Sequence, residues 1–181
     1  MIHPWPRIAS QRVFDAGLFS VTRDRTRSPR TGAERDVYVV HMGDWLMTVP
    51  LTTDGELVLV RQYRHGSRAT SLEIPGGLHD GAGEQPEEGA ARELAEETGY
   101  GGGVLSLLGE LRPQPALLSN RVRIYLARGV QRTAVPQPDA GEDIEVVLLD
   151  PREVPARIAN GEMNNAMTVT ALALARFGGH L

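Results

Sequence analysis

Between positions 84 and 97, five side chains stand at intervals that suit work on phosphates: Glu84, Arg92, Glu93, Glu96 and Glu97. On a helix turning about 100° per residue, the last three glutamates share an arc of about 100°. Like charges at such spacings repel and weaken a helix, so something must offset them. A hard divalent cation does so well, because Mg²⁺ prefers oxygen ligands. A bound cation of this kind lowers the pKa of water and neutralises phosphate oxygens. Arg92 stands beside the arc and suits bracing a carboxylate, with Glu84 as its expected partner. A solvated acidic face is the plain alternative for any Glu-rich helix.

The element that must position these groups is a helix over residues 85–98. Pro86 suits its first turn, Glu84, Glu87 and Glu88 suit its N-terminus, and Gly99 suits its stop. Ala91, Leu94 and Ala95 fall opposite the carboxylates and form a small apolar face fit to pack on a sheet. Residues 75–83 read as a glycine-rich loop that lets backbone approach a ligand. Before it, residues 7–14, 18–26, 35–41, 45–51 and 56–63 read as strands, with Asp54-Gly55 a hairpin turn. The run Leu57-Val58-Leu59-Val60 reads as buried on both faces. After the helix come strands at 104–111, 122–127 and 144–149, proline-bearing loops at 112–120 and 130–142, and helices at 151–160 and 164–177. This order predicts an α/β (α+β) fold, a mixed sheet with helices on its faces and a β-rich N-terminal extension.

Composition narrows the chemistry further. All 19 basic residues are arginine, so an anion here is held by Arg, metal or backbone N–H groups, and Schiff-base chemistry on lysine is excluded. Cysteine is absent, which excludes thiolate nucleophiles and thiolate metal sites. The net charge of −4 argues against a nucleic-acid-coating role. No apolar run approaches the roughly 20 residues of a membrane span, and residues 1–12 lack a signal-peptide core. A soluble cytoplasmic protein with no membrane partner is expected.

The segment from Gly77 to Tyr100 resembles the Nudix box, G-x5-E-x7-R-E-U-x-E-E-x-G-U, in which U is a bulky apolar residue. Glu84, the seven-residue gap, Arg92-Glu93-Leu94, Glu96-Glu97 and Gly99 fit it, and Tyr100 is a variant at its last position. One departure stands out: six residues separate Gly77 from Glu84, where the pattern has five. The extra residue lies in Asp80-Gly81-Ala82-Gly83, in the loop. The resemblance implies a Nudix fold and hydrolysis of a nucleoside diphosphate linked to another moiety, with Mg²⁺ or Mn²⁺. By position it implies Glu93, Glu96, Glu97 and the Gly76 carbonyl as metal ligands, with Glu84 and Arg92 as braces.

Features outside the box resemble the ADP-ribose and nucleotide-sugar pyrophosphatase branch. These are Val60-Arg61-Gln62-Tyr63-Arg64-His65, Leu72-Glu73-Ile74-Pro75-Gly76-Gly77, Gly141-Glu142-Asp143-Ile144-Glu145 and Gly161-Glu162-Met163-Asn164-Asn165-Ala166. The resemblance implies Arg64, Glu73 and Pro115 as substrate-binding residues. It implies Glu142 as a catalytic residue approaching the metals, with Asp143 and Glu145 as rivals, and Glu93, Glu96 and Glu97 as its catalytic companions. Pro115 stands fifteen residues after Tyr100, where ADP-ribose enzymes of the family carry proline. Residues 113–121 lack the usual glycine and acidic pattern, and Asn120 stands where Glu is expected, so GDP- and UDP-sugars stay open. Phe19 beside Gly17 is the candidate for stacking on a base, and His79 a candidate phosphate contact. The run Arg23, Arg25, Arg27 and Arg30 suits either a partner's phosphate or a solvated strand face. Family members often dimerise through early strands, which implies a homodimer with residues 1–45 as the dimerisation segment and 46–181 as the hydrolase domain. The rivals are a Nudix enzyme for GDP-mannose or a dinucleoside polyphosphate, and a non-catalytic module that binds a nucleotide sugar.

Overall fold

A computed structural model describes residues 1–81, 83–138 and 141–181. The chain divides into two compact units, Met1–Asp44 with Arg112–Arg121, and Trp45–Leu111 with Val122–Leu181.

The first unit is an antiparallel meander of β1 (Arg7–Asp15), β2 (Phe19–Arg27) and β3 (Glu34–Met42). Its first turn is closed by Asp15, whose Oδ1 accepts the Gly17 N–H at 2.9 Å. In the second turn Ser28 Oγ accepts from Arg30 and Thr31 N–H at 3.3 and 3.2 Å. The arginines of β2 meet acids across the ladder: Arg25 pairs with Asp36 at 3.0 Å and Arg27 with Glu34 at 2.8 Å. These are surface pairs, each worth little in stability. Leu117 and Ser119 bracket Val40 by backbone hydrogen bonds of 2.9 and 3.0 Å. Ile8, Val13, Phe14 and Leu18 lie exposed.

The second unit is built on β4 (Trp45–Thr52), β5 (Leu57–Arg64), β6 (Ala69–Glu73), β7 (Gly76–Leu78), β8 (Tyr100–Gly101), β9 (Val104–Leu111), β10 (Val122–Arg132) and β11 (Ile144–Leu149). The path runs β11-β5-β4-β10-β8, with β6 on β5, β7 on β4 and β9 on β10. The β4–β10 pair is parallel and the other pairs antiparallel, which makes the sheet mixed. The helices are α1 (Pro86–Thr98), α2 (Val154–Ala159) and α3 (Ala166–Phe177). Alternation along the strands sorts the core into two layers. Met47, Val49, Leu57, Leu59, Ile124 and Leu126 pack with Ala171, Leu172 and Ala175 of α3. Leu46, Val58, Tyr125 and Ala127 turn the other way, toward Ala90 and Leu94 of α1. The sheet therefore lies between helices, as the order of elements predicts. No helix among the described residues is long and apolar enough to cross a membrane.

Four strands differ from the sequence expectation, β6 and β8 lying where no strand is expected. Residues 76–78, expected as loop, form a short strand, with Trp45↔Leu78, Leu46↔Gly77 and Met47↔Gly76 in register. The strand expected at 122–127 runs on to Arg132, because Gln131 and Arg132 pair with Gly101 and Tyr100.

Glu162, just before α3, ties this unit together. Its carboxylate accepts Arg61 at 2.7 Å and Arg157 at 2.8 Å, and its backbone oxygen accepts the Leu72 N–H at 2.9 Å. Arg157, then Arg61, hold this carboxyl below the usual range. A lowered acid pKa contributes stability above the ordinary value and loses it as pH falls. Glu162→Gln is therefore expected to lower the urea midpoint at neutral pH, with the difference from the parent closing below about pH 4. A constant difference across that range would mean that the pairs do not stabilise the fold.

Candidate active site

The acidic helix is set at both ends by local chemistry. Glu88 reaches back to the Gln85 N–H at 3.1 Å, Pro86 opens the helix, and Gly99 closes it at φ +72°. The Gly99 carbonyl accepts from Thr133 and Ala134 N–H at 2.9 and 3.1 Å, which fastens the helix end to the chain leaving β10.

Arg92 is the hub of the acidic face. Its guanidinium donates to Glu84 at 2.9 Å, Glu93 at 2.9 Å and Glu96 at 2.8 Å, with Asp80 at 3.5 Å. Glu84, the expected partner, is thus drawn below its usual range by Arg92.

Glu97 behaves differently from its neighbours. The helix buries Gly89, Ala90, Leu94, Glu97 and Thr98, not the expected stripe through Ala91 and Ala95. The buried arc is therefore centred on Ala90 and Leu94, and Glu97 lies beside it. Glu97 is 3% exposed and accepts the Gly76 N–H at 2.9 Å. Burial pushes its carboxyl up to about 8 against the pull of that hydrogen bond, and the charges of Glu142 and Glu93 add to the rise. Burial also raises Glu93, with Arg92 opposing and Glu96 and Glu142 adding.

Against these carboxylates stands bare backbone. A Cβ on Gly77 would lie 2.5 Å from the Glu93 carboxylate, so Glu93 occupies space that only a glycine leaves open. The spacing of the sequence marked Gly77 as part of a motif and gave no sign of this contact.

A cation faces the acids from β5. Arg64 donates to Glu73 through Nε at 3.1 Å and Nη2 at 2.8 Å. Glu97 and Glu142 both act on its charge. The charge of Glu142 is felt at Glu93, Glu97 and Arg64, which places it with them. Its rival Glu145 pairs instead with Arg61 at 3.0 Å. Glu142 is therefore within electrostatic reach of Arg64, Glu93 and Glu97, with Glu96 held on the rim by Arg92. Glu73, expected at the substrate, is 1% exposed and lies under Arg64. Asn165, which the sequence reading did not single out, donates to Glu73 at 2.8 Å. The sequence named it only within the run 161–166, and its partner is 92 residues away. Pro115 is exposed and belongs to the first unit. His79 Nε2–H donates to the Glu84 carbonyl at 2.9 Å. Phe19 packs on Phe14 with ring centroids 5.6 Å apart.

The donor set suits a hard divalent cation. Two carboxyls raised by burial lie within reach of a third negative charge, and a dication offsets such an excess. Among the described residues no three acidic or imidazole groups enclose an ion as they stand. Arg92 holds Glu93 and Glu96, and Gly76 holds Glu97, in the arrangement described.

The NUDIX domain model matches residues 45–168. The ADP-ribose pyrophosphatase of Mycobacterium tuberculosis (strain ATCC 25618 / H37Rv) is 31% identical over 171 residues, covering 94% of this chain and 82% of that protein. The ADP-ribose pyrophosphatase of Bacillus subtilis (strain 168) is 27% identical, covering 91% of this chain and 89% of that protein. The crystal structure of an ADP compounds hydrolase superposes with a TM-score of 0.85 at 25% identity, covering 100% of this chain and 99% of that one. A family match across most of the second unit, on a helix carrying the full acidic pattern, makes this chain a Nudix hydrolase, a member of the NUDIX domain family.

Proposed function

We propose that the protein hydrolyses the pyrophosphate bond of ADP-ribose or a related nucleoside diphosphate sugar, giving a nucleoside monophosphate and a sugar phosphate. What supports this reading is the cation Arg64 within the electrostatic reach of Glu97 and Glu142, together with Glu93 lying against the bare backbone of Gly77. The names of the relatives favour ADP-ribose among such substrates.

Glu93, Glu97, Glu96 and the Gly76 carbonyl are the groups that would hold Mg²⁺ or Mn²⁺, which supplies charge neutralisation and acidity to nearby water. Arg64 offsets charge on the diphosphate and orients it. Glu142, or one of the glutamates of the acidic helix, accepts a proton from the attacking water. The water oxygen bonds to one phosphorus, the bond to the bridging oxygen breaks, and that oxygen leaves on the other phosphate. Glu73 holds Arg64 in place, and Arg92 with Glu84 holds the rim of the acidic face. Pro115 is a substrate-binding residue that marks a preference for ADP-ribose. Residues 1–45 form the dimerisation segment of a homodimer, for which exposed Ile8, Val13 and Phe14 supply apolar surface. The absence of cysteine is compatible with a reducing cytoplasm, where we place the protein.

Incubation with Mg²⁺ and ADP-ribose, ADP-glucose, GDP-mannose, UDP-glucose or NADH, followed by ion-exchange chromatography, tests this. AMP forming fastest from ADP-ribose is expected. Turnover confined to another sugar would move the specificity to residues 113–121. Tight binding without turnover under any metal would replace hydrolysis with a binding role. Light scattering is expected to report a dimer, and a monomer of about the chain's 19.7 kDa would remove the homodimer.

A further inference from the structure

A chain of hydrogen bonds links the start of α3 to Arg64 by residues outside the acidic helix. The buried Glu73 carboxylate accepts Arg64 twice and accepts Asn165 Nδ2 on Oε2 at 2.8 Å. Asn165 is also the cap of α3, its Oδ1 accepting from Met167 N–H at 2.9 Å and Thr168 N–H at 3.1 Å. Thr168, fully buried, accepts the Ile74 N–H on its hydroxyl at 3.3 Å. The first turn of α3 thus grips Glu73 and Ile74, the two residues before Pro75-Gly76-Gly77. Asn165 uses both ends of one amide, the oxygen for the helix and the nitrogen for the carboxylate. A carboxylate held from one side can rock in its plane, and the third bond fixes that plane. The planar guanidinium paired with it is fixed in turn.

We propose that Asn165 is a positioning residue for hydrolysis: through Glu73 it sets the direction in which the Arg64 guanidinium faces the diphosphate. This rests on the role given to Arg64 in the function proposed above. A mere helix cap makes a different forecast. Serine caps a helix as well as asparagine does, but its single oxygen sits on Cβ and cannot serve the cap and reach Glu73. Asparagine to aspartate keeps both cap bonds and places an oxygen where the donor was.

The test uses Asn165→Ser and Asn165→Asp, each in the parent and in Arg64→Ala, with the best substrate of the sugar panel. In the parent background kcat/KM is expected to fall about tenfold, mainly through KM, with the melting temperature of the Ser variant within a few degrees of the parent. In Arg64→Ala the same changes are expected to cost less than about twofold, because the group they act through is gone. Equal losses in both backgrounds, or no loss in either variant, would overturn the proposal. A second readout needs no turnover. The Arg64 Nε–H resonance, assigned by its disappearance in Arg64→Lys, is expected to exchange faster with solvent in Asn165→Ser. Unchanged exchange overturns the link to Glu73 even if no sugar is cleaved, whereas faster exchange without turnover upholds the link and removes only the proposed substrate class.

Discussion

Glu97→Gln is expected to lower kcat at least about 10²-fold while the protein stays folded. The change is isosteric, and the amide oxygen can still accept the Gly76 N–H that Glu97 accepts at 2.9 Å. What disappears is an ionisable carboxyl, 3% exposed, whose charged form burial disfavours. Holding a carboxylate there costs folding free energy unless a cation offsets it. Two measurements separate the roles. Steady-state rates in Mg²⁺ should collapse, and in excess chelator the variant should melt no lower than the parent. A near-parent rate would remove Glu97 from the mechanism. A lower melting point in chelator would show instead that the charge supports the fold.

The neighbouring glycines are expected to fail in opposite ways when replaced by alanine. A Cβ on Gly76 would lie 2.2 Å from the Leu46 carbonyl oxygen and 2.8 Å from Met47 Cα, both in the backbone of β4. Neither can step aside without pulling the two strands apart, so Gly76→Ala should cost about 3 kcal/mol or more in urea unfolding. The atoms nearest a Cβ on Gly77 belong to the carboxylate end of Glu93, a flexible side chain. Gly77→Ala should keep a melting temperature near the parent's and lose about 10- to 100-fold in kcat/KM, because Glu93 is driven off its place. Parent-like activity in Gly77→Ala would mean that the position of Glu93 does not matter to turnover. Parent-like stability in Gly76→Ala would mean that β7 can leave β4 freely.

What the sequence disclosed follows from how local each signal is. The acidic helix was legible because its start, stop and charge pattern all lie within one segment, and Arg92 meets Glu84 as the spacing implied. The buried strand Leu57-Val58-Leu59-Val60 was legible for the same reason. The short strand at 76–78 was not, because glycines carry no side-chain pattern and its pairing is dictated by β4. The burial of Glu97 was hidden as well. A helical wheel gives relative directions but not which arc meets the sheet, and Ala90 and Leu94 decided that. The contacts of Glu73 were half legible. Its pairing with Arg64 spans one hairpin, but its bond to Asn165 depends on where α3 docks.

The loop between β7 and α1 bears on how such a motif drifts over generations. His79 and Glu84 are clasped at 2.9 Å, so the chain between them is a closed excursion whose two feet stay put. One more residue there lengthens the excursion and moves neither foot. The interval from Glu84 to Glu97 has no such freedom, since the helix and the reach of Arg92 meter it residue by residue. A strict repeat count thus treats as one ruler two intervals of which only the second is metered by a helix. A further glycine or serine inserted at 80–81 should pass almost unnoticed where one inserted at 89–90 would not.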